Sequence, residues 1–239
     1  MNILNFPRAL LVLILTPLLT FLVSVTTIIY AVIFRATAQT IQTLPRNMGR
    51  IVTWLSGVDV TIEGEEKLDP QKPYIFAANH QSQFDIFTLQ GHLKHDFRWL
   101  AKKELFDVPV FGIAMRYGGY VSIDRSRGRA AMKSLAEAAQ RIADGTSVII
   151  FPEGTRSKDG KLQPFKSGGM TLAIKSGVQL VPVAIIGTHE ILPKGRLLVK
   201  PGKVLVRVGE PMETGNYSLK ERQELAEKLH DKVAKLLQD

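Results

Sequence analysis

The sequence predicts an α/β protein, a mixed β-sheet flanked by helices with a membrane-embedded helical element at its N-terminal end. Three observations predict it. Downstream of Gly57, short β-rich apolar runs alternate with stretches of helical period. Runs such as Val148-Ile149-Ile150-Phe151 are apolar on both faces, the pattern of a central strand covered by helices on each side. Residues 9–34 form a run of 26 without a single charge, bounded by Arg8 and Arg35. As a helix that run would reach about 39 Å at 1.5 Å per residue, longer than a hydrocarbon core of about 30 Å.

The chain divides at this level into residues 1–57, helices that anchor it in a membrane, and residues 58–239, an α/β domain. Pro17 lies inside the apolar run and should kink it, with the hydroxyls of Thr16, Thr20, Ser24, Thr26 and Thr27 returning hydrogen bonds to the freed carbonyls. The run is expected to anchor and to give no side chain to a catalytic site. Residues 47–56 read as a short amphipathic helix in the headgroup region, with Met48, Ile51, Val52, Trp54 and Leu55 against Arg46 and Arg50. Ala36-Thr37-Ala38 resembles a signal-peptide cleavage site, but the apolar run exceeds the about 7–15 residues of such a signal. Arg35, Arg46 and Arg50 after the run outnumber Arg8 before it, which places the rest of the chain on the cytoplasmic face.

Within the second part, strands are expected at 58–63, 74–78, 97–101, 120–123, 147–151, 180–186 and 203–208. Helices are expected at 83–92, 110–117, 128–143, 168–175 and 219–237. The last opens on the capping-box pattern Ser218-Leu219-Lys220-Glu221 and carries Leu225, Leu229, Val233, Leu236 and Leu237 as a packing stripe.

A formal net charge of +9 favours anionic partners: nucleic acid, an acidic membrane surface or phosphorylated substrates. With no cysteine, disulfides, thiolate nucleophiles, Cys-ligated zinc and iron–sulfur clusters are excluded. The sequence also lacks GxSxG, GxGxxG and the P-loop pattern, which lowers serine-hydrolase, dinucleotide and nucleotide-triphosphatase readings.

Chemistry concentrates in a few segments. Asn79-His80-Gln81-Ser82-Gln83-Phe84-Asp85 puts an imidazole five residues before a carboxylate. Five residues rotate a side chain by about 140° on a regular helix, so the two meet only if His80 sits in the loop and Asp85 in the first helical turn. Asp85 would then fix the tautomer and leave the other ring nitrogen free as a base. An ordinary turn followed by a helix cap is the bland alternative.

Phe151-Pro152-Glu153-Gly154-Thr155-Arg156-Ser157 follows the most apolar strand, at the end where ligands of α/β sheets gather. Gly154 permits close backbone approach, Arg156 can fork onto phosphate, and Glu153 could bond a glycerol hydroxyl or orient that arginine. A solvated turn with a surface ion pair fits the same residues. Gly118 to Arg125 likewise ends a strand on an arginine and leads into the basic Ser126-Arg127-Gly128-Arg129; no interleaved aromatics accompany it, so nucleic acid is not the expected partner. Lys102-Lys103-Glu104 could add Lys103 to the same pocket. Val181-Pro182-Val183-Ala184-Ile185 could border an acyl tunnel and is more simply core, and its proline does not suit a normal central ladder position. His92 and His95 read as surface histidines rather than metal ligands, since zinc needs three or four ligands.

Taken together, four of these segments resemble in order and spacing the lysophosphatidic acid acyltransferases, the 1-acyl-sn-glycerol-3-phosphate O-acyltransferase family. The resemblance runs from about Tyr74 to Ile186 and rests on NHQSxxD at 79–85, the strand ending Ile123-Asp124-Arg125, FPEGTRS at 151–157 and VPVAI at 181–185. It implies that His80 deprotonates the sn-2 hydroxyl and Asp85 orients His80. It also implies that the glycerol phosphate is held around Arg125, Glu153, Gly154, Thr155 and Arg156. It implies no covalent acyl-enzyme, no metal and no cofactor, with acyl-CoA or acyl carrier protein thioester as co-substrate and lysophosphatidic acid and membrane lipid as partners. Family likeness further implies an N-terminal two-helix element dipping into one leaflet, a monotopic anchor. Ser122 departs from the bulky apolar residue or proline more usual there, which bears on pocket shape and acyl preference. A sibling acyltransferase acting on glycerol 3-phosphate or a lyso-aminolipid, or a non-catalytic anionic-lipid-binding protein, are the competing readings.

Overall fold

A computed structural model describes residues 5–124, 126 and 128–238. Arg125, expected near a bound phosphate, lies outside them. The strands are β1 (Val58–Glu63), β2 (Ile75–Ala78), β3 (Arg98–Lys102), β4 (Val121–Ile123), β5 (Val148–Ile150), β6 (Leu180–Ile186) and β7 (Gly202–Val208). They form one sheet in the order β1-β7-β6-β2-β5-β3-β4. β2 pairs in parallel with both β5 and β6, while β6 and β7 are antiparallel, so the sheet is mixed as expected. Each expected strand and helix forms, with ends that move by no more than a few residues.

β2 and β5 are buried along their whole length, which is why neither shows a polar alternation in sequence. β6 is also a core strand despite Pro182. Its ladder with β7 begins only at Val183, and the Pro182 carbonyl accepts from Gly209 N at 2.8 Å, so the missing N–H falls where no strand is paired on that side.

Helices α1 (Phe6–Ile33), α2 (Ala38–Ile41), α3 (Thr43–Leu55) and α4 (Phe84–His92) lie on one side of the sheet with α5 (Phe111–Tyr117). There Val52, Phe84 and Leu89 join the inward side chains of β2, β6 and β7 in one apolar cluster. α6 (Arg129–Ala143), α7 (Gly168–Ser176) and α9 (Arg222–Gln238) cover the other face, where Ile142, Leu172, Leu225 and Leu229 pack on Ile75 and Val148. α3 and α4 touch backbone to backbone: a Cβ on Gly49 would stand 2.7 Å from Gly91 N, so only glycine permits this approach. Arg46 and Arg50 then donate to the carbonyls of Lys94, His95 and Gly91, docking α3 on the sheet domain.

α1 is long and apolar enough to cross a membrane, and little of it is buried in the protein. Thr16, Thr20, Ser24 and Thr26 do return hydrogen bonds, to the carbonyls of Val12, Thr16, Thr20 and Leu22. None of these is Leu13, whose carbonyl Pro17 leaves without its helical donor, so the hydroxyls satisfy themselves rather than the proline's gap.

Two sequence expectations are corrected here. His95 is not on the surface: it is 8% exposed, stacks edgewise on Tyr74 and Phe76, and its Nε2 lies 3.0 Å from Ser147 Oγ. The connection between α4 and β3 packs it against β2, and burial lowers its pKa. Ser122 is exposed on β4 and lies outside the apolar cavity described below, so it does not shape it.

Candidate active site

Parallel β2, β5 and β6 are neighbours, so their carboxyl ends open on one side and the loops after them converge. The loop after β2 carries Asn79 and His80, the loop after β5 carries 151–157, and β6 leads into Thr188 at the start of α8 (Thr188–Ile191). Asn79 is fully buried and fixes the first of these to the third. Its side chain donates to Ile185 O at 2.9 Å and accepts from Ile185 N at 2.7 Å.

His80 and Asp85 meet as expected, Nδ1 to Oδ2 at 2.7 Å. The buried Asp85 carboxylate is held from several directions. Oδ2 also accepts from the Gln81 and Ser82 N–H groups, each at 2.9 Å, and Oδ1 accepts from the Thr188 hydroxyl. An ionised carboxylate can only accept, so the proton of the neutral imidazole stays on Nδ1 and the Nε2 lone pair is free. Ser82 Oγ accepts from Phe84 N at 3.0 Å, capping the turn that aims Asp85 back at the histidine.

The second loop brackets the His80 peptide. Glu153 Oε1 accepts from His80 N at 2.7 Å, and Ser157 N donates to His80 O at 2.8 Å. Glu153 Oε2 takes Gln163 N at 3.3 Å. Glu153 is 3% exposed, and burial pushes its pKa up to about 7, partly offset by those two N–H donors. The imidazole lies flat on Phe151, ring centroids 3.9 Å apart, and Phe151 in turn stacks on Trp99.

Gly154 closes the loop at φ 76°, and a side chain there would strike Lys166. Thr155 is exposed and Arg156 half-buried. The Arg156 guanidinium has no ion-pair partner among the described residues. Lys194 reaches this loop, 3.2 Å from Thr155 Oγ1 and 2.8 Å from Arg156 O. Lys103 is instead tied to Asp124 at 2.7 Å; that contact and Ser126 hold the Asp124 carboxyl down at about 2. Among the described residues, no group of three His, Cys, Asp or Glu side chains is placed to hold a metal ion.

A cavity of about 480 Å³ opens beside His80, Phe151 and Trp99 and runs between α1 and α5. Thr20, Val23, Ser24 and Thr27 of α1 form one wall, so the apolar run contributes side chains to the site after all. Sequence patterning could not show this, because α1 joins the site only through tertiary packing on α3 and α5. Gln42, Gln90 and Tyr120 also line the cavity. There Trp99 Nε1 donates to Gln90, Gln90 to Gln42, and Gln42 to Gly118 O, which satisfies the polar groups among apolar walls.

Residues 59–186, more than half of the chain, match the acyltransferase family. The chain belongs to that family. Over 151 residues it is 40% identical to a 1-acyl-sn-glycerol-3-phosphate acyltransferase of Chlamydomonas reinhardtii, covering 62% of this chain and 45% of the relative. Over 183 residues it is 36% identical to the enzyme of the same name from Cocos nucifera, covering 76% of this chain and 59% of that one. The match thus spans about half the length of these curated relatives. The crystal structure of the 1-acyl-sn-glycerophosphate acyltransferase PlsC from Thermotoga maritima superposes with a TM-score of 0.72 at 30% identity. That likeness covers 93% of this chain and 96% of the other. The matched region of this acyltransferase holds β2, β5 and β6 and with them His80, Asp85 and the 151–157 loop.

Proposed function

We propose that this acyltransferase moves an acyl chain from an acyl thioester to the sn-2 hydroxyl of a 1-acyl-sn-glycerol 3-phosphate, giving phosphatidic acid. One observation carries the reading: a histidine locked by Asp85 at Nδ1 lies on the wall of an apolar cavity large enough for a lipid chain.

In this mechanism His80 Nε2 takes the proton of the sn-2 hydroxyl as its oxygen attacks the thioester carbonyl. Asp85 keeps the ring oriented and stabilises the imidazolium that forms. When the tetrahedral intermediate collapses the carbon–sulfur bond breaks, and the imidazolium proton goes to the departing thiolate. The hydroxyl attacks directly, so no acyl-enzyme forms. The donor's acyl chain lies in the cavity between α1 and α5, supplied by coenzyme A or an acyl carrier protein, and no cofactor takes part.

Glu153 acts as a positioning residue through the His80 peptide. The acceptor phosphate is assigned to Gly154, Thr155 and Arg156, joined by Arg125 and by Lys194, which no sequence motif flagged. Arg156 suits this because its guanidinium is not engaged in an ion pair among the described residues and can fork onto phosphate. Lys103 is left out of this clamp, because Asp124 neutralises its charge at 2.7 Å. α1 anchors the chain in the membrane from one leaflet, with the α/β domain on the cytoplasmic face.

The test is the purified full chain in vesicles with paired acceptors, a 1-acyl-glycerol 3-phosphate and the matching 1-acyl-glycerol, against acyl-CoA and acyl carrier protein donors, with products read by mass. Diacylated product from the phosphorylated acceptor with at least one donor is expected. Acylation of the unphosphorylated acceptor alone, or none at all, overturns the assignment.

A further inference from the structure

Beyond α3, seven described residues are large, apolar and exposed, and four of them, Leu105, Val108, Ile113 and Tyr117, fall within thirteen positions. Their exposures lie between 42% and 46%. Such clustering marks an interaction surface rather than the scattered apolar residues normal on a soluble face. Local geometry gathers them. Residues Lys103–Asp107 form a 3₁₀ turn, in which positions three apart eclipse. Leu105 and Val108 therefore share one ridge, Glu104 and Asp107 another, and Phe106 turns inward, 7% exposed. On α5, Ile113 and Tyr117 are four apart and again share a face.

Between the two pieces the backbone turns sharply at Val110, with φ 63° and ψ −57°, and Phe111 N donates to Pro109 O at 2.7 Å. This is a positive-φ γ-turn, rare and costly for a β-branched residue. Strain of that kind persists where the surrounding structure fixes it and clusters at functional segments.

We propose that residues 105–117 form a second bilayer-contact surface, seated in the headgroup and upper acyl region of a phospholipid leaflet beside α1. This rests on reading α1 as the membrane anchor. The occupant is lipid because α5, which carries Ile113 and Tyr117, packs along α1, whose own large apolar side chains are exposed. Lys102 and Arg116, both exposed, border it as snorkelling cations do at an interface. The separate Glu104 and Asp107 ridge keeps the insertion shallow. One consequence concerns loading. Leu105, Phe111, Ala114 and Met115 line the cavity on the side facing α1, so the His80 cavity would open toward lipid between two membrane-contacting elements.

The chain has no cysteine, so single-cysteine probes are clean. Full-length Val108→Cys and Ile113→Cys, carrying an environment-sensitive fluorophore, would be compared on anionic vesicles containing lipid brominated near the headgroup. Ile14→Cys on α1 and Met132→Cys on α6, 61% and 72% exposed, serve as references. Blue shift and quenching at 108 and 113, as at 14, with none at 132, are expected. Probes at 108 and 113 that behave like 132 while 14 is quenched overturn the inference and leave the anchor standing. No quenching at 14 removes the anchor reading and this one with it. A Val108→Asp, Ile113→Asp double variant should turn over detergent-dispersed acceptor like the parent and lose about ten-fold or more on bilayers, the scale of one lost apolar burial. Equal turnover on bilayers would also overturn it.

Discussion

The two sides of the site around His80 are built in opposite ways. Around the histidine the polar groups are matched: Asn79 by Ile185, Asp85 by His80, Gln81, Ser82 and Thr188, and the His80 peptide by Glu153 and Ser157. A few residues away, Thr155, Arg156 and Lys194 form a cationic rim whose groups reach backbone and solvent more than one another. The difference separates the tasks. A base must be held at one angle before substrate arrives, whereas a phosphate clamp can complete its hydrogen bonds on the ligand.

The most damaging changes should fall on the rigid side. His80→Ala should lower kcat by about 10²–10⁴ or more while circular dichroism and vesicle flotation stay unchanged. Asp85→Asn should come close behind. Its amide oxygen can still take the three donors at Oδ2 and its NH₂ can donate to Thr188, so geometry survives while the charge opposite the imidazolium is lost. A stable, folded Asp85→Asn protein with nearly parental kcat would mean that orientation alone is at work.

Deleting the first forty residues should come next. Because Thr20, Val23, Ser24 and Thr27 wall the cavity, turnover should stay low even with detergent-dispersed acceptor. Recovery to parental rates in detergent would reduce α1 to an anchor.

Smaller effects belong to the open rim. Arg156→Ala and Lys194→Ala should each cost about 1.5–3 kcal/mol in kcat/KM for the phosphorylated acceptor, and much less without the phosphate. Equal losses on both acceptors would place the clamp elsewhere.

The smallest concerns Glu153 and pH. Burial raises its carboxyl from 4.5 to about 7, so the folded chain holds this proton more tightly than the unfolded chain does. Its contribution to stability is therefore full below pH 4.5 and declines as pH rises toward 7. Glu153→Gln should flatten that decline in urea unfolding followed between those values; an unchanged slope would mean that the carboxyl titrates normally.

What the sequence made legible follows the same division. His80 and Asp85 were readable because five residues of one turn bring them together, and β5 because a strand buried on both faces is apolar throughout. Thr188 and Lys194 were not, since they arrive after β6, each more than a hundred residues beyond Asp85. Glu153 was expected at substrate or Arg156, and its contacts with the His80 and Gln163 peptides depend on how β2 and β5 are paired. The α1 wall of the cavity and the burial of His95 were hidden for the same reason: tertiary packing leaves no periodic mark on the elements that join it.

Direct transfer by a preorganised base can be read by intact-protein mass spectrometry. The full chain would be mixed with an equimolar isotope-labelled acyl thioester, first alone and then with 1-acyl-glycerol 3-phosphate. With direct transfer the protein mass does not change and the donor stays intact until acceptor is added, when the label appears at the sn-2 position of phosphatidic acid. An acyl-sized gain in protein mass before acceptor, discharged when acceptor arrives, would contradict it.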